Sequence, residues 1–240
     1  QHLVYPEEEN WEDPSWIDNP VNPAREGGQG AMQMRMQRAN LTREQRQLIR
    51  NVSRQRVRNL QYRWIDRMSK TNSPLVEKMT LFWHDHFATS AQKVQQPNLI
   101  YKQNELLRKN ALGNFKKLTH EIAKDPAMIL YLDNQQNRRG NPNENFAREL
   151  MELFTIGIGN YTEKDIKEAA RAFTGWQARG GDFRMILRQH DNRNKSFMGV
   201  SGNLNGNDIV DIIFNQDAVA PFIAGKLASF FVTEEPGQEL

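Results

Sequence analysis

Signals for the start of a helix recur along the chain from Thr42 onward, and they constrain the fold more than any other feature. Thr42 with Gln45 three residues later fits a capping box, and Thr162 with Asp165 opens another helix. Further starts are predicted at Ser73-Pro74, Pro97, Asn114 and Asp125-Pro126. Apolar residues follow these signals at helical spacing. We therefore predict a mostly α, multi-helix globular fold.

The signals for strands are short and lie in one region. Residues 183–187 and 195–200 have the composition of strands, with Gly and Asn turns around them. We expect one small β hairpin near residues 176–200. Before it, a strong helix is predicted over residues 144–154, after an Asn-rich ordered loop at residues 133–143.

The N-terminal residues differ from the rest in composition and charge. Residues 1–34 contain four prolines and three clustered glycines, and the first 26 residues carry seven acids against one Arg. Residues 35–70 carry eleven basic side chains against two acids. We predict that residues 1–34 form an irregular acidic arm that packs through Trp11 and Trp16, and that residues 35–233 form a single helical domain. The acidic arm is the simplest partner for the basic helix, so nucleic acid is not the expected partner.

Several classes of protein are excluded by what the sequence lacks. The chain has no cysteine, which removes disulfide scaffolds, thiolate metal sites, cysteine nucleophiles and iron–sulfur clusters. No apolar run is long enough for a membrane span, and neither a phosphate-binding glycine loop nor a dinucleotide fingerprint is present. A serine hydrolase is weakly supported because no Gly-x-Ser-x-Gly elbow occurs. Candidate chemistry therefore rests on His, Glu and Asp side chains.

Two histidines, His84 and His86, lie in a segment with a helical pattern. On a strand the His-x-His spacing aims both rings the same way, and it is a common metal-ligand spacing. On a helix the two side chains differ by about 200°, so only a break in the helix allows both to bind one metal. Two alternatives follow: a metal site of His84, His86 and Glu149, or a buried, hydrogen-bonded His86 with His84 at the surface or an interface.

A polar stripe runs along the predicted helix at residues 144–154. On it, Asn145, Arg148, Glu149 and Glu152 stand at positions i, i+3, i+4 and i+7. Two carboxylates one turn apart bind a divalent cation or act as acid and base, so Glu149 and Glu152 are candidate catalytic residues. The alternative is a structural ion pair in which Arg148 or Arg171 neutralises Glu149.

This stripe is predicted to be covered, because few residues typical of a surface surround Glu149 and Glu152. A covered carboxylate needs a cation, since an unpaired buried charge costs several kcal/mol. We expect that cation to be Arg148 or Arg171, or a divalent metal with a histidine ligand. The stripe is therefore expected to lie near one of the two histidines and near Arg171.

His190-Asp191 follow the strand signal. A His that is oriented by a carboxylate can act as a general base, or the pair can orient a metal ligand by hydrogen bonding. His190 and Asp191 are therefore candidate catalytic residues. A surface turn is the alternative.

The Asn-rich loop has a partial likeness to a calcium-binding loop. With Asp133 at position 1, Asn137 and Glu144 occupy ligand positions 5 and 12. Arg138, however, stands where the sharp turn of such a loop needs Gly. We therefore favour Asn side chains that bond the local backbone.

Five blocks of the sequence carry a resemblance to a known family. They are LFWHDHFATS at residues 81–90, DPAMILYLDN at 125–134, PNENFARELMELFTIG at 142–157, AARAFTGW at 169–176 and His190-Asp191. Together they resemble the large bacterial family catalogued as domain of unknown function 1800, over roughly residues 74–232. The long C-terminal half of that family has no counterpart after residue 233, so we expect the chain to be a fragment of a longer protein.

The resemblance implies a location and a partner. Members of the family often look exported, and they are often encoded beside an uncharacterised family that resembles sulfatases and alkaline phosphatases. It therefore implies a secreted protein, placed in the periplasm, the cell envelope or outside the cell, with a sulfatase-like partner encoded alongside. The resemblance implies no reaction.

Two functions from different classes fit the sequence. The first is an exported, metal-assisted hydrolase-like enzyme, in which a divalent metal polarises the substrate or activates water while a Glu or His handles protons. The second is a non-catalytic envelope or extracellular binding or scaffold protein, whose polar clusters are structural.

Overall fold

The structure is a computed structural model that describes residues 11–18 and 41–232. These residues form ten α-helices and two small antiparallel sheets. The helices are α1 (Arg43–Lys70), α2 (Pro74–His86), α3 (Ala91–Val94), α4 (Pro97–Lys109), α5 (Phe115–Ala123), α6 (Pro126–Tyr131), α7 (Asn145–Glu149), α8 (Glu163–Ala172), α9 (Gly206–Ile213) and α10 (Val219–Phe231). The strands are β1 (Trp176–Arg179), β2 (Asp182–Met185), β3 (Lys195–Phe197) and β4 (Val200–Gly202). The prediction of a mostly α fold is confirmed.

The residues that signal helix starts make the expected capping bonds. The Gln45 backbone N–H donates to the Thr42 hydroxyl (3.2 Å), and the Thr42 N–H donates to the Gln45 side-chain oxygen (2.9 Å). Thr162 and Asp165 close the same reciprocal box at the start of α8. Side-chain oxygens of Asn114 and Asp125 cap α5 and α6. A proline begins three of the helices, α2, α4 and α6.

The hydrophobic core is built largely from one face of α2 and from helices α4 to α9. The ring of Trp83 stacks on Phe115 with centroids 5.4 Å apart, and its Nε1–H donates to the Ala111 carbonyl (2.9 Å). Trp176 packs edge-to-face on Phe173 at 5.1 Å. Each fully buried large apolar side chain contributes about 1.5–3 kcal/mol to stability. This core leaves the opposite face of α2 to face α1.

The helix predicted over residues 144–154 changes its winding halfway. α7 continues without a break into a π-helical turn, Leu150–Thr155. The N–H of Ile156 therefore reaches the carbonyl of Met151, five residues back, at 3.0 Å. The Thr155 hydroxyl donates to the Leu150 carbonyl (2.6 Å). The spacing of the apolar residues in this segment is compatible with both an α-helix and a π-helical turn, so the sequence did not predict the π-helical turn.

Two β hairpins occur where one was predicted. β1 pairs with β2, and β3 pairs with β4. The first hairpin turns at Gly180 and Gly181, whose φ angles of +63° and +80° fit the two-residue turn that matches strand twist. β1 has only four residues and follows closely on α8. Because four residues are too few for an alternating apolar pattern to stand out, the sequence did not indicate this strand.

The Asn-rich loop is held by asparagine side chains. The Asn134 amide donates to the Phe173 and Trp176 carbonyls, and the Asn137 amide donates to the Ala170 carbonyl (2.8 Å). The Asn137 side-chain oxygen accepts from the Asn143 N–H (3.0 Å). The two residues are buried, and their bonds tie the loop to α8 and β1. The expectation that Asn side chains bond backbone groups agrees with this geometry, but three of these four bonds reach carbonyls 33–42 residues away rather than the local backbone.

Part of the predicted N-terminal arm is described, and that part lies against α1. Residues 11–18 contain turns but no helix or strand, and Trp11 and Trp16 are both half-buried. The Arg67 guanidinium lies over the Trp11 ring at 5.5 Å and the Arg56 guanidinium over Trp16 at 5.0 Å. Docking through the two tryptophans is confirmed. Residues 1–10 and 19–34 of the arm lie outside the described residues.

The contacts between this segment and the helices use rings and main chain more than ion pairs. Arg63 donates to the backbone carbonyl of Glu12, and the Tyr101 hydroxyl donates to Asp13 (2.5 Å).

Within the described ranges, no helix combines the length and the apolar character needed to cross a membrane. The single-domain boundary at residues 35–233 stays a prediction.

Candidate binding cavity

A cavity of about 640 Å³ lies between α1, α2 and α4, and Trp11 and the start of α3 close one side of it. Rings form much of its wall. Trp64 comes from α1, His84 from α2 and Tyr101 from α4, and Trp11 adds a fourth ring. The Trp64 and His84 rings meet edge-to-face, with centroids 5.0 Å apart and an interplanar angle of 85°. Ring faces of this kind suit a flat organic ligand.

A buried ionic cluster lies beneath the cavity. Glu77, on α2, is only 3% exposed. Its carboxylate accepts from the Nε and Nη2 of Arg108 (2.7 and 3.2 Å) and from the Trp64 indole N–H (2.9 Å). Arg67 Nε lies 3.0 Å from the same carboxylate, at an angle that makes an ionic contact but no hydrogen bond. A buried carboxylate of this kind is tolerated because two guanidinium groups surround it.

The cavity floor continues along α4. Arg108 also donates to Glu105 (2.5 Å) and to the side-chain oxygen of Asn104 (2.8 Å). The Asn104 amide nitrogen is buried and has no hydrogen-bond partner among the residues that the structure describes. Since an unpaired buried donor costs about 1–3 kcal/mol, an acceptor on a ligand would relieve that cost.

The titratable groups of the cavity are tuned by burial. Burial lowers the pKa of His84, and the charge of Asp85 offsets this in part. The imidazole is therefore neutral at neutral pH. Burial also raises the pKa of the Tyr101 phenol, with its hydrogen bond to Asp13 acting in the same direction. The phenol keeps its proton at any ordinary pH.

His86 lies on the other side of α2, within the core. Its ring is surrounded by aromatic side chains, among them Phe82 and Phe154, with centroids 5.8 and 6.0 Å away. The Nε2–H donates to the Phe154 carbonyl in the π-helical turn (2.9 Å). Burial lowers the pKa of His86 to about 3. The alternative of a buried, hydrogen-bonded His86 agrees with this environment.

The predicted metal site of His84, His86 and Glu149 is not assembled. The two imidazoles face opposite sides of α2 because the helix is unbroken, as the spacing of 200° per two residues requires. The Nε2–H of His86 already donates to the Phe154 carbonyl, and the ring of His84 contacts Trp64. Across residues 11–18 and 41–232, no three His, Cys, Asp or Glu side chains are grouped so that they could hold a metal ion.

Among the described residues, Glu149 and Glu152 make no hydrogen bond or ion pair with His84 or His86. Glu152 accepts from the Tyr161 hydroxyl (2.7 Å), and both it and Glu149 are half-buried. Burial raises the pKa of Glu149, and the charge of Glu152 adds to that shift. Arg148 donates to both oxygens of Glu163 (2.9 Å each), so its main ion-pair partner is Glu163 and not Glu149.

Arg171 belongs to a different cluster, with Asp191 and Glu168. Its Nε donates to Asp191 (2.9 Å) and its Nη1 to Glu168 (2.8 Å). Arg193 donates two further bonds to Asp191, at 2.7 and 2.9 Å. These guanidinium groups, Arg193 first, hold the pKa of Asp191 well below its usual range. The expectation that Arg171 neutralises Glu149 is therefore corrected: Arg171 is a structural ion-pair residue for Asp191.

His190 does not use Asp191 as its orienting partner. Its Nδ1–H donates to the Thr174 carbonyl (2.9 Å), while the Thr174 hydroxyl accepts from the Asp191 N–H (2.8 Å). His190 and Asp191 are almost fully buried, at 3% and 0% exposure, so the surface-turn alternative is wrong. The arrangement locks the segment between β2 and β3.

The sequence interpretation found His84 but missed the other cavity residues. Each of three helices contributes a polar stripe at i, i+3 or i+4, and i+7. In α2 the stripe includes Glu77 and His84, and in α4 it includes Tyr101, Asn104 and Arg108. The polar stripe of Glu77, Thr80 and His84 along α2, a helix otherwise rich in apolar residues, was the available signal. Which stripes meet depends on helix packing, which spacing alone does not specify.

Comparison with known proteins identifies a family for this chain. The sequence model of the family described as "Protein of unknown function (DUF1800)" matches residues 7–240. Neither the curated proteins nor the solved structures gave a match. The matched region includes the cavity, both hairpins and the Asn-rich loop. The chain therefore belongs to the DUF1800 family.

Proposed function

We propose that this protein binds a small, uncharged organic molecule in the cavity between α1, α2 and α4. The observation that carries the proposal is a cavity of about 640 Å³ whose lining includes four rings, beside a buried Asn104 amide nitrogen with no partner among the described residues. Ligand sites typically have volumes of about 300–1,000 Å³, mostly apolar walls and a few polar groups that orient the ligand. The protein would then act as a non-catalytic binding protein of the envelope or extracellular space.

The charge around the cavity supports an uncharged ligand. Two guanidinium groups and two carboxylates pair with one another at the cavity: Arg67 and Arg108 with Glu77 and Glu105. Arg108 is satisfied by Glu77, Glu105 and Asn104 together. A ligand with a net charge would have to break these pairs, at a cost of several kcal/mol for a buried one.

An acid–base enzyme at the same cavity is the second candidate. The observation that favours it is His84, a neutral imidazole on the cavity wall, which is the form that accepts a proton. The metal-assisted hydrolase, and catalytic roles for Glu149, Glu152, His190 and Asp191, stay predictions. Export and a sulfatase-like partner, which the family resemblance implies, also stay predictions.

Ligand-observed NMR with a panel of neutral monosaccharides, nucleosides and aromatic amides tests the binding function. We expect at least one compound class to bind, and Asn104→Ala to weaken its binding by about tenfold, which is the effect of one lost hydrogen bond in a buried site. Asn192→Ala, at an exposed position away from the cavity, is the matched control. Binding that is equal in both variants, or no binding by any compound, would contradict the proposal.

His84→Gln separates the two candidate functions. A binding protein keeps most of its affinity, because Gln keeps a polar group on the cavity wall. An enzyme that uses His84 as a base loses turnover of the bound compound by about 100-fold or more while binding persists.

A further inference from the structure

Among the residues that the structure describes, the outer edge of β2 has no neighbouring strand. β2 pairs with β1, and Trp176 stands opposite Met185. The Ile186 N–H donates to the Gly175 carbonyl (2.8 Å), which makes the Trp176–Met185 pair the non-hydrogen-bonded kind. Alternation along the strand then turns the backbone N–H and C=O of both Met185 and Phe183 away from β1.

These outward-facing backbone groups are unpaired within the described chain. Neither Met185 nor Phe183 makes a backbone hydrogen bond to any described residue outside the hairpin. β2 itself is mostly exposed. Such an edge is a template for another extended chain, and proteins that leave one open commonly use it for binding.

Four arginines lie in or near this hairpin, and we call them the arginine edge: Arg184 on β2, Arg188 just after it, and Arg138 and Arg139 in the Asn-rich loop, which contacts β1 through Gln135. All four are exposed. None of their guanidinium groups makes an ion pair or hydrogen bond with the residues in the described ranges. The Arg139 N–H donates to the Gln189 carbonyl (2.7 Å), which brings the Asn-rich loop beside the residues that follow β2.

Apolar side chains lie beside the arginine edge. Leu187 is 70% exposed and Met185 is 37% exposed. A large exposed leucine next to an open strand gives an extended chain an apolar contact between charged ones. The surface therefore combines main-chain hydrogen-bonding groups, fixed positive charge and a small apolar contact.

We propose that the outer edge of β2 binds an extended acidic segment of a partner protein by β-strand addition. The segment's backbone would pair with Phe183 and Met185, and its Asp or Glu side chains would meet Arg184 and Arg188. Guanidinium groups bind carboxylates through two parallel hydrogen bonds, which sets the register of the added strand. A nucleic acid would use only the arginines, and it would leave the open main-chain groups and Leu187 without a partner.

A synthetic peptide of alternating Glu and Val is the probe, and fluorescence anisotropy with the full chain measures its binding. Arg184→Glu with Arg188→Glu is expected to weaken binding by about tenfold or more, because it replaces two attractions by repulsions. Arg54→Glu with Arg58→Glu, on the exposed face of α1, makes the same change in net charge and is expected to leave binding nearly unchanged. Equal losses in the two double variants would overturn the site.

The main-chain part is tested from the peptide side, so that no protein variant has to fold. The same peptide, N-methylated at alternate residues, keeps its charges but cannot pair with a strand edge on that side. We expect one of the two methylation registers to lose binding by about tenfold or more, and the other to lose much less. Equal binding of both registers and the parent peptide would overturn strand addition. A single-stranded DNA oligonucleotide that binds more tightly than the peptide, with the same dependence on Arg184 and Arg188, would overturn the choice of partner.

Discussion

The two sides of α2 provide opposite environments for a buried titratable group. On the cavity side, Glu77 is charged and is enclosed by Arg67 and Arg108. On the core side, burial among aromatic rings keeps His86 neutral, and its one hydrogen bond to the Phe154 carbonyl offsets this only in part. The difference shows that burial alone does not decide charge. What decides it is whether neighbouring helices supply a counter-charge, because an unpaired ion in a low-dielectric interior is several kcal/mol less stable than a paired or neutral group.

The largest expected effect on stability comes from removing one of the two cations that surround Glu77 on the cavity side of α2. Arg108→Ala removes the guanidinium that makes two hydrogen bonds to Glu77. We expect the free energy of unfolding to fall by about 3–5 kcal/mol, because a buried carboxylate loses half of its compensation. Chemical denaturation measures this, and Lys109→Ala at the neighbouring exposed position is the control. A loss below about 1 kcal/mol would mean that the cluster is solvated and that the comparison fails.

On the neutral side, His86→Phe keeps a ring of similar shape and removes the titration. The pKa of His86 is about 3 in the folded protein against 6.5 for a free side chain, so the unfolded chain takes up the proton first. Wild-type stability is therefore lost, relative to the variant, as the pH falls from about 6.5 toward 3, by at most about 1.4 kcal/mol per pH unit. Denaturation of both proteins across this range measures the difference. A difference in stability between the two proteins that is constant with pH would contradict a His86 that stays neutral in the folded protein.

Asp125 sharpens the comparison, because it is a buried carboxyl group with no cationic partner among the described residues. It accepts from the Gln103 amide and the Met128 N–H (2.8 Å each), and burial raises its pKa to about 7 from 3.8. The folded protein therefore holds the proton more tightly, and this stabilisation is lost as the pH rises from about 4 through 7. We expect Asp125→Asn to gain stability relative to wild type over that range.

The sign for Asp125 is opposite to that for His86, so the two contributions cancel in part in the wild type. Single variants therefore reveal each one. Asp182→Asn, at an exposed position on β2, is the matched control and is expected to show no such trend. A wild-type minus Asp125→Asn difference that does not change between pH 4 and 7 would show that the carboxyl is charged throughout.

The smallest effect on stability is expected for His84→Phe. The position is half-buried, and Phe keeps the edge-to-face contact with Trp64. The free energy of unfolding should change by about 0.5 kcal/mol or less. Tryptophan fluorescence should respond to acidification below pH 6.5 in the wild type and lose part of that response in the variant, because imidazolium near an indole quenches it. An unchanged fluorescence titration would place the neutral His84 away from Trp64.

The sequence by itself determined where helices begin and which faces of α2 its histidines occupy. Thr42, Thr162, Asn114 and Asp125 cap helices as local chemistry requires, because capping involves residues only three apart. The mostly α fold and the opposite directions of His84 and His86 follow from the same local geometry.

The tertiary structure alone decided which charges meet and which chemistry is available. Glu77 lies 31 residues from Arg108, and Arg171 lies 20 residues from Asp191, so no local spacing predicts either pair. The π-helical turn that presents the Phe154 carbonyl to His86 depends likewise on how α7 packs against α2. Local bonds are set by a few neighbouring dihedral angles, whereas a cavity or an ion cluster is set by the packing angles of several helices at once.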